Sequence, residues 1–171
     1  NTFYTVHVTS KVGAFAKRAT NDPYVIALDA TPPGMTFSIN PATPTNQTAQ
    51  VISGTCSDII VGIPTNDVKI CIKGTGACTY PADYGVSVNC TSGTYTYNAG
   101  MVQGLYDVEV VGVDAAGNKA TAVGTGGQNY RVDTTVPSAP AFTNPTTNIM
   151  IAGGAFLFSW SASTDTGGSG L

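Results

Sequence analysis

Charge is what this sequence has least of. Charged residues make up 10% of its 171 positions, against roughly 25% in an ordinary soluble domain. Lysine and arginine total 7, aspartate and glutamate 10, and the formal net charge is -3. So few cations leave no electrostatic footprint for nucleic acid or an anionic membrane surface. Histidine occurs once, as His7, and no C-x-x-C pair exists, which argues against a zinc site. Glutamate also occurs once, as Glu109, a poor basis for paired-carboxylate glycoside chemistry. No nucleophile elbow or triad order accompanies the many serines and threonines. The expectation is that the chain is not an enzyme. Long apolar runs are missing too, so no membrane span is expected. The chain opens on Asn1 with no basic-then-apolar leader, which reads as a processed chain or a piece of something longer.

What is present is glycine (20), proline (10) and abundant threonine, with 42% hydrophobic residues. That mixture favours strands and turns around a packed core. Short β-rich runs bounded by glycine or proline fall at Gln50–Cys56, Asp67–Lys73, Gly85–Cys90, Gly93–Asn98, Tyr106–Val111 and Tyr130–Val132. In the second of these Val68, Ile70 and Ile72 alternate with Lys69, Cys71 and Lys73, the period of a half-buried strand. Regular short strands without a helical period predict an all-β Greek-key β-sandwich.

Three blocks then recur in order. Tyr4-Thr5-Val6-His7-Val8 matches Tyr106-Asp107-Val108-Glu109-Val110, and Asp29-Ala30-Thr31-Pro32-Pro33 matches Asp133-Thr134-Thr135-Val136-Pro137. Ile52 to Asp58 matches Phe158 to Asp165, placing Trp160 opposite Gly54. The spacing is about one domain length, so a tandem repeat is expected. Its register predicts the last strands of one repeat at 1–28, a complete repeat at 29–133, and the opening strands of a third at 134–171. Short proline-stiffened linkers join them.

The run Gly104-Leu105-Tyr106-Asp107-Val108-Glu109-Val110, the turn Asp114-Ala115-Ala116-Gly117-Asn118 and the linker Val132-Asp133-Thr134-Thr135-Val136-Pro137 resemble bacterial immunoglobulin-like (fibronectin-III-like) tandem repeats of large cell-surface and secreted proteins. The resemblance implies immunoglobulin-like sandwiches and an extracellular or cell-surface location. Tyr106 stands where that fold places its tyrosine corner, its hydroxyl tying down the preceding crossover. Trp160 is expected to be buried, and His7 to face outward.

Four cysteines, Cys56, Cys71, Cys78 and Cys90, fall close together, which reads as a disulfide framework in an oxidising compartment. A two-residue hairpin turn at Gly74-Thr75 would set Cys71 opposite Cys78, leaving Cys56 for Cys90. The resemblance offers a rival bond, between the positions of Cys71 and Cys90. The resemblance also implies calcium at joints between repeats. Asp114, Asn118, Asp133 and Asp165 are the candidate ligands at the second joint. At the first joint Val12 and Ala16 stand in the places of Asp114 and Asn118, which leaves calcium to the second. Glu109 should point to solvent from between core valines. Tyr80 and Tyr84 are candidate glycan-docking aromatics, with Tyr95 and Tyr97 behind them. Asn46 and Asn89 sit in sequons that would carry glycans only in a eukaryotic secreted protein.

The expected function is a structural or adhesive segment of an extracellular surface protein, stalk or fibre. Its partners would be neighbouring repeats of the same chain, and other copies in a fibre or a surface glycan. The alternative is a carbohydrate-binding accessory module of a secreted multidomain enzyme.

Overall fold

The computed structural model describes residues 2–12, 15–18, 23–59, 62–65, 67–125, 127–147, 150, 152–166 and 168. Every regular element among them is a strand. Among the described residues no helix is long and apolar enough to cross a membrane.

Four strands precede the linker: β1 (Thr2–Val6), β2 (Thr9–Val12), β3 (Phe15–Arg18) and β4 (Tyr24–Leu28). They form two antiparallel pairs, β1 with β4 and β2 with β3. After the linker come β5 (Gly34–Asn40), β6 (Gln50–Ser57), β7 (Val68–Gly74), β8 (Val86–Val88), β9 (Thr94–Ala99) and β10 (Gly104–Val113). The series continues with β11 (Lys119–Thr121), β12 (Val123–Thr125), β13 (Tyr130–Val132), β14 (Phe142–Asn144) and β15 (Ser159–Trp160). β14 and β15 form a separate antiparallel pair.

Strands β5 to β13 make two sheets packed face to face. One runs β12-β5-β6-β9; the other runs β11-β10-β7-β8, with β13 also on β10. The alternation legible in the sequence becomes the core. β5 and β6 supply Met35, Ile39 and Ile52, β9 supplies Tyr95 and Ala99, and the facing sheet supplies Val68, Ile70, Val108, Val110, Tyr130 and Val132. The last connection switches sheets. After β11 the chain leaves β10, runs parallel to β5 as β12, and returns to β10 as β13.

Two buried groups explain how the ends of the sandwich are sealed. Gln50 has no solvent exposure; its Oε1 accepts from Met101 N at 2.9 Å while its Nε2 donates to Gln47 O. Tyr130 is fully buried, and its hydroxyl donates to Pro41 O at 2.7 Å. A buried polar group without a partner costs about 1–3 kcal/mol, so each carries its partner with it.

Trp160 departs from expectation. It is 64% exposed, as are Phe142 (67%), Leu157 (74%) and Phe158 (56%), because the β14–β15 pair has no facing sheet among the described residues. Gly54, its counterpart, is a necessity of packing. A Cβ there would overlap the Thr36 carbonyl oxygen, which accepts the buried Tyr95 hydroxyl at 2.7 Å.

Candidate metal centre at one pole of the sandwich

Three carboxylates from distant positions meet where the linker enters the sandwich. Asp29 follows β4 at the head of the linker to β5, Asp58 follows β6, and Asp114 follows β10. Each offers an oxygen within 4.8 Å of the other two. Asp29 and Asp114 are buried, at 8% and 3% exposure.

Local chain geometry holds each in place. Asp29 Oδ1 accepts from Thr31 N at 2.9 Å, an Asx turn at the head of the linker. Asp114 Oδ1 accepts from Ala116 N and Asn118 N at 2.9 and 2.8 Å. The chain can make that turn because Gly117 takes a positive φ of 89°. Asn118 bridges two of the three segments: its Nδ2 donates to Asp114 Oδ2 at 2.8 Å and to Asp29 O at 3.1 Å. Asp58 Oδ1 accepts from Gly62 N at 3.0 Å, and Gly62 O accepts from Ala115 N at 3.1 Å.

These bonds leave one buried oxygen unmet. Asp29 Oδ2 has no hydrogen-bond partner, in a carboxyl group that lies within ligand reach of the other two. Three like charges this close repel one another where water is scarce, and burying an unpaired carboxylate oxygen is costly. An all-oxygen set of this kind suits a hard divalent cation such as calcium, which accepts carboxylate and carbonyl ligands in flexible geometry. The residues fit that ion.

The cluster lies at the first joint, which the sequence left without calcium, rather than at the second. Asp114 belongs to it with Asp29 and Asp58; Asn118 only bridges Asp114 and Asp29 through its Nδ2, and neither Asp133 nor Asp165 belongs to it. The reason is the length of β10. Its first residue, Gly104, pairs with Val132 beside Asp133, while Asp114 follows its last residue, Val113. Ten residues of strand put roughly 30 Å between those ends. Asp133 lies at the far pole, where Oδ1 accepts from Thr135 N at 3.0 Å and Gln103 Nε2 at 3.3 Å. That repeats the Asp29–Thr31 turn one unit on. Asp165 stands in sequence where Asp58 does, beside Gly168, whose carbonyl accepts from Arg131 Nη1 at 2.9 Å. Sequence reading passed over Asp29 and Asp58, although the repeat marks both positions by placing aspartate there twice.

Tyr80 and Tyr84 lie elsewhere, in a second apolar cluster on the outer face of β7 and β10 with Cys71, Cys78, Val111 and Val113. Tyr84 is buried and its hydroxyl donates to Glu109. Burial first, then the Glu109 contact, holds that phenol well above its ordinary range. Glu109 is therefore half-buried beneath the 75–85 loop rather than pointing to solvent. Tyr80 meets the Tyr84 ring edge-on at 5.2 Å, and Lys119 Nζ sits 4.4 Å from the Tyr80 centroid. Lys73 Nζ bonds Asp83 at 2.9 Å, and this contact, with Thr79 N–H, holds the Asp83 carboxyl below its usual range. Tyr84 is thus packed inward from its own loop, while Tyr80 stays half-buried beside Lys119. Tyr95 is buried and Tyr97 half-buried, both on the inner face.

The disulfides join Cys71 to Cys78 and Cys56 to Cys90, with Cα separations of 6.3 and 6.0 Å. No two-residue hairpin forms at Gly74-Thr75. β7 pairs instead with β8, from Val68↔Val88 to Ile70↔Val86, and Cys78 reaches back to β7 from within the intervening loop. Two such bonds suggest an oxidising, non-cytoplasmic environment. His7, Asn46 and Asn89 are all exposed. Comparison with family models, curated proteins and solved structures returns no match.

Proposed function

We propose that this chain is a structural or adhesive segment of an extracellular surface protein, stalk or fibre. In this reading it is built from tandem immunoglobulin-like Greek-key sandwiches whose joints are stiffened by a divalent cation. The observation that carries the reading is Asp29. It belongs to the linker, yet it is buried against Asp58 and Asp114 of the sandwich with one oxygen unmet. A cation held there ties the linker to the pole of the following bead.

Further features support the extended, repetitive reading. The chain passes between sheets after β6, after β8 and after β9, as a Greek-key sandwich of immunoglobulin type requires. Tyr106 donates its hydroxyl to Val102 O at 3.1 Å, the tyrosine-corner contact expected from the motif. Pairing registers recur as well. Tyr4 faces Ile26 on β1 and β4 as Tyr106 faces Tyr130 on β10 and β13.

The cation would be held by Asp29, Asp58 and Asp114, and its chemistry is electrostatic: it neutralises three carboxylates and fixes their spacing. Asn118 holds the Asp114 turn against the linker backbone. The test is thermal unfolding of the intact chain in calcium and in chelator. At about one hundred times its Kd, a ligand adds about 2.7 kcal/mol, on the order of 10 °C in Tm for a bead this size. Asp29→Asn keeps the turn-forming oxygen, so it should remove the calcium-dependent rise without lowering Tm in chelator. Equal Tm in millimolar calcium and in chelator would sink the cation joint.

A further inference from the structure

Among the described residues, the longest free strand edge of the sandwich belongs to β9. It pairs with β6 on one side and with no named strand on the other. Neighbouring bonds decide which groups that edge presents. Thr94 exchanges both backbone hydrogen bonds with Thr91, on the side away from β6. Backbone groups of successive strand residues point to alternate sides. Thr96 and Asn98 therefore aim their N–H and C=O groups at the open side, while those of Thr94 are already capped.

The edge has none of the devices that stop strands from pairing. Its six residues, Thr-Tyr-Thr-Tyr-Asn-Ala, include no charge and no proline, and its register with β6 runs unbroken from Thr55↔Thr94 to Gln50↔Ala99. Charges, prolines and bulges are how natural sheets protect such edges. Beside it, the outer face of the sheet carries Thr36, Ser38, Ser53 and Thr55, again uncharged. The neighbouring edge strand of the other sheet, β8, reads Val-Ser-Val.

We propose that β9 is a self-association edge, at which two copies of this chain pair antiparallel about a twofold axis through Tyr97. The four-stranded sheets then join into one continuous sheet of about eight strands. A second copy is the fitting occupant because the edge offers no charge for a dissimilar partner to read, and no like charges oppose when it meets itself. The register follows from the geometry. Inner and outer faces match only if the axis passes through a residue rather than between two. Centring on Thr96 would set Asn98 against the partner's Thr94, whose groups Thr91 already holds. Centring on Tyr97 sets Thr96 against the partner's Asn98 twice, so four backbone hydrogen bonds form from unengaged groups. The Tyr97 side chains then meet on the inner face, where aromatic cross-strand pairs are favourable. This pairing is independent of cation binding.

Sedimentation equilibrium of the intact chain in chelator tests it. Wild type should show a concentration-dependent dimer. Thr96→Lys, an outward-facing change at the edge, should weaken it by roughly tenfold or more, while Ser38→Lys on the same face but inside the sheet should not. Exposed apolar residues on the end ribbons offer another way for chains to stick, so register must be read directly. Backbone-bonded antiparallel pairs lie about 5.5 Å apart at Cα, within disulfide reach. An oxidised mixture of Thr96→Cys and Asn98→Cys chains should yield a 96–98 bond between chains by peptide mapping. A monomer at all concentrations, a dimer indifferent to Thr96→Lys, or no 96–98 bond would each overturn the proposal.

Discussion

Tyr4 and Tyr106 occupy the same place in the same repeated motif and meet different fates. Both sit on strands paired antiparallel in the same register, opposite Ile26 and Tyr130. Tyr106 is half-buried with its hydroxyl on Val102 O, whereas Tyr4 is 53% exposed, beside Phe3, Tyr24 and Ile26, also exposed. The motif thus determines strand, pairing and register, all of them local. Burial is decided elsewhere, by whether a second sheet faces the first. The same contrast separates Gly54, packed between Thr36 and Tyr95, from Trp160 on an uncovered ribbon.

The sharpest way to break this contrast is at Gly54. Adding one methyl group there drives it into backbone that cannot retreat without releasing the Tyr95 hydroxyl. Gly54→Ala should cost about 3 kcal/mol or more in urea unfolding. Trp160→Ala, a far larger deletion, should change the same transition by less than about 0.5 kcal/mol. Equal effects would mean that the ribbons share the sandwich's core after all.

The disulfides sharpen it further, because one joins the two sheets and the other fastens a loop to one of them. Cys56 lies on β6 and Cys90 just beyond β8 in the opposite sheet, with a sequence separation of 34; for Cys71 and Cys78 it is 7. On the chain-entropy account the longer loop is worth about 4 kcal/mol and the shorter about 2.5 kcal/mol. Paired substitution to alanine, followed by denaturant titration, should rank them in that order. A larger loss at 71–78 would show that the outer cluster under that loop carries more of the fold than the link between sheets.

Legibility in the sequence follows the same division. Strands β6, β7, β9 and β10 announce themselves by alternation, since each pairs one apolar face with one polar face. β5 alternates as plainly, with Met35, Phe37 and Ile39 inward and Thr36, Ser38 and Asn40 outward, yet sequence reading passed it over between its bounding prolines. What its local pattern cannot reveal is the parallel pairing with β12, nearly ninety residues on. At the candidate metal centre, Asp114 and Asn118 were readable as a turn because that turn closes within five residues. Asp29 and Asp58 join it only through the fold. The expectation that Glu109 faces water failed for a similar reason, since the loop that covers it is fastened by the Cys71–Cys78 bond and by Gly76 N–H on Asp107, contacts that alternation along β10 does not reveal. The burial of Tyr130 and Gln50 likewise depends on Pro41, Gln47 and Met101, partners that periodicity does not reveal.

The smallest effect tests the contrast most directly, because it removes a single oxygen from each of the two equivalent tyrosines. Tyr106→Phe deletes the donor to Val102 O and leaves the ring in place. A net contribution of about 1 kcal/mol is expected for such a bond, so its unfolding midpoint should fall measurably. Tyr4→Phe removes a hydroxyl from an exposed ring and should move the midpoint by no more than a few tenths of a kcal/mol. If both variants lose equally, Tyr4 must be engaged by a covering sheet in solution, and the ribbon it sits on is no less a part of a sandwich than β10.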